Sequence, residues 1–124
     1  MPRERFVPGD LAAVAYADRD LPLKATSPRA LLAPMTFARL VQLAEIGAKE
    51  RVLHVGAATG YGSAVLARLA DAVVALESDG ELAGALAANV AVIANVTVVA
   101  GKLAEGGKSH GPYDVILVEG RVAA

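Results

Sequence analysis

At 124 residues, 55% of them hydrophobic and only 4% aromatic, the chain has the length of one domain and must build its core from Ala, Val, Leu and Ile. It has no cysteine, which excludes disulfides, thiolate metal sites and a cysteine nucleophile together. A formal net charge of −1 with no Lys/Arg cluster argues against nucleic acid or an anionic membrane as partner.

Met1 to Leu23 carries Pro2, Pro8 and Pro22 among scattered charges and reads as an extended arm with one helical turn near Leu11–Tyr16. Ser27 to Ile46 predicts the first substantial helix, with Pro34 near its start, apolar Met35, Ala38, Leu40, Val41 and Ala44, wetter Arg39 and Glu45, and Gly47 as its stop. Thr26 and Ser27 suit capping. Lys49-Glu50-Arg51 turns into a strand over Val52, Leu53 and Val55, an apolar run suited to a sheet covered on both faces.

A turn of small residues follows, Gly56-Ala57-Ala58-Thr59-Gly60, and then a helix whose apolar face is Tyr61, Val65 and Leu69 with Leu66 beside them. Strand, glycine turn and helix start leave backbone N–H groups and a helix dipole facing a crevice, which predicts a small-ligand site. The dinucleotide fingerprint Gly-x-Gly-x-x-Gly fails at Ala58 and Tyr61, so the fit to NAD is poor. The pattern Gly-x-Gly-x-Gly is met by Gly56, Ala58 and Gly60 with one methyl group added in the middle, where a negative φ would still let the backbone approach a ligand.

Ala72-Val73-Val74-Ala75-Leu76 predicts the second strand and ends in Glu77, 17 residues after Gly60. A carboxylate there can accept hydrogen bonds from two neighbouring ribose hydroxyls; the alternative is an acid that merely ends a strand in solvent. Ser78 and Glu81 form a capping-box pattern for a helix that buries Leu82, Ala85, Leu86, Val90 and Ile93. Asn95 to Val99 predicts a third strand ending at Gly101-Lys102, and Val115 to Val118 a fourth, followed by Glu119 at the crevice end. Asp114 enters that strand at the opposite end, which suits structural use, and His110 lies in a glycine-rich loop facing solvent. No His or acid grouping has metal-ligand spacing. Met1 to Arg5 leads into no long apolar segment and Val90 to Ala100 is interrupted by Asn95 and Thr97, which predicts a soluble cytoplasmic protein.

The turn at Gly56, Ala58 and Gly60 resembles motif I of the class I S-adenosylmethionine-dependent methyltransferases. Pro2-Arg3-Glu4-Arg5-Phe6-Val7-Pro8, Ala15-Tyr16-Ala17-Asp18 with Leu21-Pro22-Leu23, Ala33-Pro34-Met35, the motif I turn with Glu77, and Pro112-Tyr113-Asp114-Val115-Ile116 follow one another as in the protein-L-isoaspartate O-methyltransferases. The chain resembles that family over nearly its whole length.

The resemblance implies an α/β fold: a Rossmann-like class I methyltransferase sheet of parallel strands with flanking helices, in the order 3-2-1-4-5-7-6, of which only the first four strands fit here. It implies residues 1–33 as an N-terminal arm and substrate segment and 34–124 as a partial S-adenosylmethionine-binding domain. Gly56, Ala58 and Gly60 would pass the methionine half of the cofactor, Glu77 would hold the ribose, and Glu119, leaving the fourth strand at the crevice end, would be a further cofactor-binding residue. His54 stands where the family has an acid that orients the methionine ammonium, and otherwise reads as a satisfied core histidine. Lys102 stands near the family's adenine-binding acid and cannot accept a hydrogen bond, so recognition would fall to backbone from Ala100 to Leu103, or Lys102 is an ordinary surface lysine.

Leu31, Leu32, Ala33, Pro34 and Met35 would line the acceptor site, a protein or peptide carboxylate, with Leu32 in place of the serine that ends the family's Gln-Thr-Ile-Ser phrase. An ionised carboxylate attacks a sulfonium methyl without a general base, so no catalytic residue is assigned. The fourth strand is expected to present a bare edge that pairs with a second copy, unless the chain is a fragment lacking further strands. A catalytically inactive cofactor-binding or oligomeric remnant is the alternative function.

Overall fold

The computed structural model describes residues 2–23, 29–106 and 108–119. Thr26 and Ser27 lie outside them, so the capping expected of them has no structural counterpart to compare. The arm forms two 3-10 helices, Arg3–Phe6 and Gly9–Val14, and a short antiparallel pair, β1 (Leu21–Pro22) with β2 (Ala30–Leu31). Then follow α1 (Pro34–Ala44), β3 (Arg51–Val55), α2 (Tyr61–Ala67), β4 (Ala72–Glu77), α3 (Gly80–Val90), β5 (Val96–Ala100) and β6 (Val115–Val118).

β3 to β6 form one parallel sheet in the order β5-β4-β3-β6, the 3-2-1-4 arrangement that the family resemblance implies. Residues Val52 to Val55 and Val73 to Glu77 are all buried, which places their strands at the centre and explains their unbroken apolar runs. β6 alternates between covered and exposed residues, and β5 has no fully buried residue.

The three α-helices pack on one face. Val52, Val73 and Leu117 pack with Phe37 of α1 and Leu66 of α2, and Ala75, on the same side of β4 as Val73, packs with Leu86 and Val90 of α3. The opposite face, Leu53, Val55, Val74 and Leu76 with Val99 of β5 beside Leu76, is packed against by Leu103 and Tyr113. Ile116 and Val118, in register with Leu53 and Val55, belong to that second face and are 62% and 36% exposed. Among the described residues no strand pairs with the outer edge of β6.

Three local expectations give way to different chemistry. α3 is capped by Asp79 rather than Ser78: its carboxylate accepts the N–H groups of Glu81 and Leu82 at 3.0 and 3.1 Å, which leaves Ser78 outside the helix. α1 ends before Gly47, at Glu45, whose φ of 49° forms a left-handed cap, and its one buried residue is Phe37. α2 buries Gly62, Ser63, Ala64 and Leu66 instead of a Tyr61–Val65–Leu69 stripe, and Leu69, beyond its end, is 40% exposed.

The arm is held by Arg3, which is 1% exposed. Its Nε donates to the Ala15 carbonyl at 2.5 Å, a second guanidinium nitrogen donates to the Leu32 carbonyl at 2.8 Å, and the group lies 4.7 Å from the Tyr61 ring centre. Phe6, Leu21 and Leu31 then share a core with Ala58, Ala64 and Leu82, so the arm packs directly on the glycine turn.

Candidate functional site

After β3 the backbone takes positive φ at Gly56 (73°), Ala58 (54°) and Gly60 (99°). The condition of a negative φ at Ala58 is not met; in the left-handed region its Cβ crowds the following carbonyl, at a cost of about 1–2 kcal/mol. Its methyl is fully buried in the core shared with Phe6 and Leu31, which offsets part of that cost. At Gly56 an added Cβ would come within 3.0 Å of the Glu119 carbonyl. At Gly60 it would meet Leu86 Cδ1 at 2.8 Å, so this glycine serves the packing of the turn on α3. α2 has seven residues. The expected helix dipole is correspondingly short, and polar groups at the crevice come from the turn and from Glu77.

Glu77 ends β4 fully buried, facing the turn and not solvent. Its Oε1 accepts the Ala58 N–H at 2.7 Å and its Oε2 accepts the Asp79 N–H at 2.9 Å. The Arg29 guanidinium lies across the same carboxylate, donating to Oε2 at 2.7 Å and to Oε1 at 2.5 Å. Burial alone would push the Glu77 carboxyl up; the bonds from Arg29, Asp79 and Ala58 outweigh it and hold the pKa below the ordinary value. The Arg29 pKa is raised in turn, chiefly by the bond to Glu77.

Sequence reasoning gave Arg29 no role. Counting back from Pro34, it occupies the glutamine position of the phrase whose serine falls on Leu32. An added Cβ at Gly56 would lie 3.6 Å from its guanidinium, so the side chain covers the mouth between β3 and β4.

His54 is fully buried, and both ring nitrogens have protein partners: Nδ1 lies 2.7 Å from Ser63 Oγ and Nε2 lies 2.9 Å from Glu119 Oε1. A proton assigned to Nε2 satisfies the set, with Glu119 accepting it and Nδ1 accepting the Ser63 hydroxyl. Glu119 Oε2 also accepts the Leu32 N–H at 3.2 Å. His54 is therefore a satisfied core histidine, and Glu119 is bound to protein groups instead of standing open at the crevice. Gly62 makes room for this network: a Cβ there would come within 2.7 Å of His54 Cε1 and 2.9 Å of both Glu119 Oε1 and Phe37 Cζ.

Beside Glu77, a cavity of about 360 Å³ is lined by Leu76, Val99, Ala100, Gly101, Lys102, Glu105 and Lys108. Lys102 lines it, whereas the Leu103 side chain packs under it against the core of Leu53 and Leu76. The Gly101 N–H is bonded to the Glu77 carbonyl at 3.0 Å, which ties this wall to the acid.

The segment read as an acceptor wall divides. Leu31 is fully buried in the arm's core. Ala33 is 9% exposed and its N–H donates to Asp20 at 2.7 Å. Leu32 and Pro34 are half-buried, and Met35 is 56% exposed. Pro34 also lines a shallow hollow with Phe37, Val41 and Tyr61. Among the described residues no group of three or more His, Cys, Asp or Glu could hold a metal, and no helix is long and apolar enough to cross a membrane.

The model of a family described as protein-L-isoaspartate(D-aspartate) O-methyltransferase matches residues 1–124. A protein-L-isoaspartate O-methyltransferase of Rhodopseudomonas palustris is 37% identical over 120 residues, covering 95% of this chain and 48% of that protein. One from Methanoregula boonei is 38% identical over 120 residues, covering 95% of this chain and 54% of its own length. A solved protein-L-isoaspartate O-methyltransferase superposes with a TM-score of 0.82 at 28% identity, over 95% of this chain and 40% of that one. A Plasmodium falciparum structure of that description, in complex with S-adenosyl-L-homocysteine, shares the fold with a TM-score of 0.70 at 19% identity, over 94% of this chain and 60% of that one. The chain spans about half the length of the curated relatives it matches. On the match across all 124 residues, the chain belongs to the protein-L-isoaspartate(D-aspartate) O-methyltransferase family.

Proposed function

We propose that this chain binds S-adenosylmethionine and serves methyl transfer to a carboxylate of a protein or peptide, as the names of its relatives imply. The carrying observation is Glu77, a fully buried carboxylate at the carboxyl end of the second sheet strand, anchored by two backbone N–H groups and bonded to a two-pronged donor. A ribose diol is also a two-pronged donor. The residues present thus fit a nucleoside: Glu77 for the ribose, the cavity bounded by Leu76, Gly101 and Lys102 for the adenine, and the backbone of Gly56 and Ala58 beside the methionine half.

When bound, the cofactor supplies an electrophilic methyl group. The chain contributes alignment and exclusion of water, since an ionised carboxylate needs no base. Residues 1–33 would form the arm and substrate segment and 34–124 the cofactor-binding part, with Leu32, Pro34 and Met35 nearest the acceptor. A cytoplasmic location belongs to the same proposal, because the cofactor is a charged metabolite of that compartment. The test is calorimetric titration with S-adenosylhomocysteine followed by transfer of a labelled methyl group to an isoaspartyl peptide; no heat at millimolar ligand defeats the reading.

A second reading is favoured by Leu32. Its apolar side chain stands where the related phrase has a serine, and its N–H and carbonyl are taken by Glu119 and Arg3. An acceptor that needs a hydroxyl there loses its partner. Binding without methyl transfer would identify an inactive, cofactor-binding form. We also propose that a second copy pairs with β6, supported by an outer edge that no strand among the described residues pairs with and by exposed Ile116 and Val118. Light scattering tests this, and a well-folded monomer in dilute solution contradicts it.

A further inference from the structure

We propose that Arg29 is a gate on the nucleoside site: its guanidinium occupies the two places on Glu77 that a ribose diol needs, so that the ligand binds only by displacing it. The proposal rests on the nucleoside reading of Glu77 and adds a regulation to it.

A carboxylate accepts about four hydrogen bonds, two on each oxygen. On Glu77, Oε1 takes the Ala58 N–H and one Arg29 nitrogen, and Oε2 takes the Asp79 N–H and the other Arg29 nitrogen. Both backbone donors belong to the fold, Ala58 in the turn after β3 and Asp79 as the cap of α3. Only the two sites filled by Arg29 are exchangeable, and they point where the carboxylate meets the mouth beside Gly56. Diol and guanidinium are therefore mutually exclusive.

The guanidinium is the stronger partner for the acid, since a charge-assisted bidentate pair outweighs two neutral hydroxyl bonds. It is also releasable, because the Arg29 side chain keeps 24% of its surface in water while Glu77 keeps none. The segment that bears it leads directly into Leu32 and Pro34, so the gate and the proposed acceptor wall share one stretch of chain. Closure lowers apparent affinity by the fraction of molecules that are open.

Calorimetric titration of the full chain, of Arg29→Gln and of Arg29→Lys with S-adenosylhomocysteine tests the gate. Glutamine keeps an N–H donor and removes the charged fork, and lysine keeps the charge but loses the two-pronged grip. The expected result is about tenfold tighter binding by Arg29→Gln than by the wild type. Equal affinities overturn the gate and leave the nucleoside site standing, and tighter binding by the wild type makes Arg29 a ligand contact and overturns it too. No heat from any of the proteins at millimolar ligand removes the nucleoside reading and the gate with it. If Arg29→Gln does not fold, Arg29→Lys decides: tighter binding than the wild type supports the gate, and equal or weaker binding contradicts it.

Discussion

The Nε2 of His54 and the Oε1 of Glu119 lie 2.9 Å apart although 65 residues separate them in the chain. The pair ties the central strand β3 to the end of the edge strand β6, and through Ser63 and Leu32 it reaches α2 and the segment after β2. One imidazole thus fixes the relative positions of four parts of the crevice floor.

Replacing His54 by Ala strips Ser63 Oγ and Glu119 Oε1 of a buried partner. A destabilisation of about 3 kcal/mol is expected in urea unfolding. His54→Glu puts two acids in one dry site and should be at least as costly, with Glu119→Gln recovering part of the loss in the double variant. Additive costs in that cycle would show that the two side chains do not interact.

Gly62→Ala improves helix propensity by about 1 kcal/mol, yet its Cβ would sit 2.7 Å from His54 Cε1. Overpacking of this kind costs about 1–3 kcal/mol, so a net loss is expected, together with perturbation of the His54 ring resonances in NMR. A more stable variant with unchanged His54 signals would contradict this packing.

The Glu77 carboxyl is held below its ordinary pKa in the folded chain, by Arg29 and two N–H groups against the opposing effect of burial. In acid the unfolded chain then binds more protons, so the stability Glu77 contributes is present above its unfolded pKa and fades as pH falls through the folded value. Glu77→Gln should flatten the pH dependence of the urea midpoint below about pH 4.5. At neutral pH it should cost about 3 kcal/mol, because Arg29 keeps its charge and loses its partner. Identical acid limbs for the two proteins would contradict the pairing.

Arg3→Met keeps the aliphatic stem and removes bonds to Ala15 and Leu32 and the cation beside Tyr61. Hydrogen bonds to a charged group contribute about 1.5–3 kcal/mol each at most, so a loss of about 2 kcal/mol is expected, with faster proteolysis within residues 8–20. Unchanged cleavage would mean the arm is held by Phe6 and Leu21 alone.

The central strands were legible because a strand buried on both faces writes itself as a continuous run, as in Val52–Val55 and Ala72–Glu77. In the arm, the turn read near Leu11–Tyr16 corresponds to the 3-10 helix Gly9–Val14, whereas the one at Arg3–Phe6 was not legible, since proline and isolated apolar residues give no period to read. At the site, Glu77 stood out through its place at a strand end. Its partner did not, because nothing local in Arg29-Ala30-Leu31 signals a salt bridge to a residue 48 positions away. The same holds for Ser63 and Glu119 on His54. Ala58 misled for another reason: alanine ordinarily avoids positive φ, and only burial of its methyl among Phe6, Leu31 and Ala64 accounts for its tolerance here.

The most direct test of a nucleoside site at Glu77 is amide chemical-shift mapping as S-adenosylhomocysteine is added to the isotopically labelled chain. Shifts are expected at Gly56, Ala58, Glu77, Asp79, Gly101 and Lys102, around the mouth between β3 and β4 and the cavity beside it. Spectra unchanged at millimolar ligand, or shifts confined to the hollow between the arm and α3 at Phe6, Thr59 and Asn89, would contradict it.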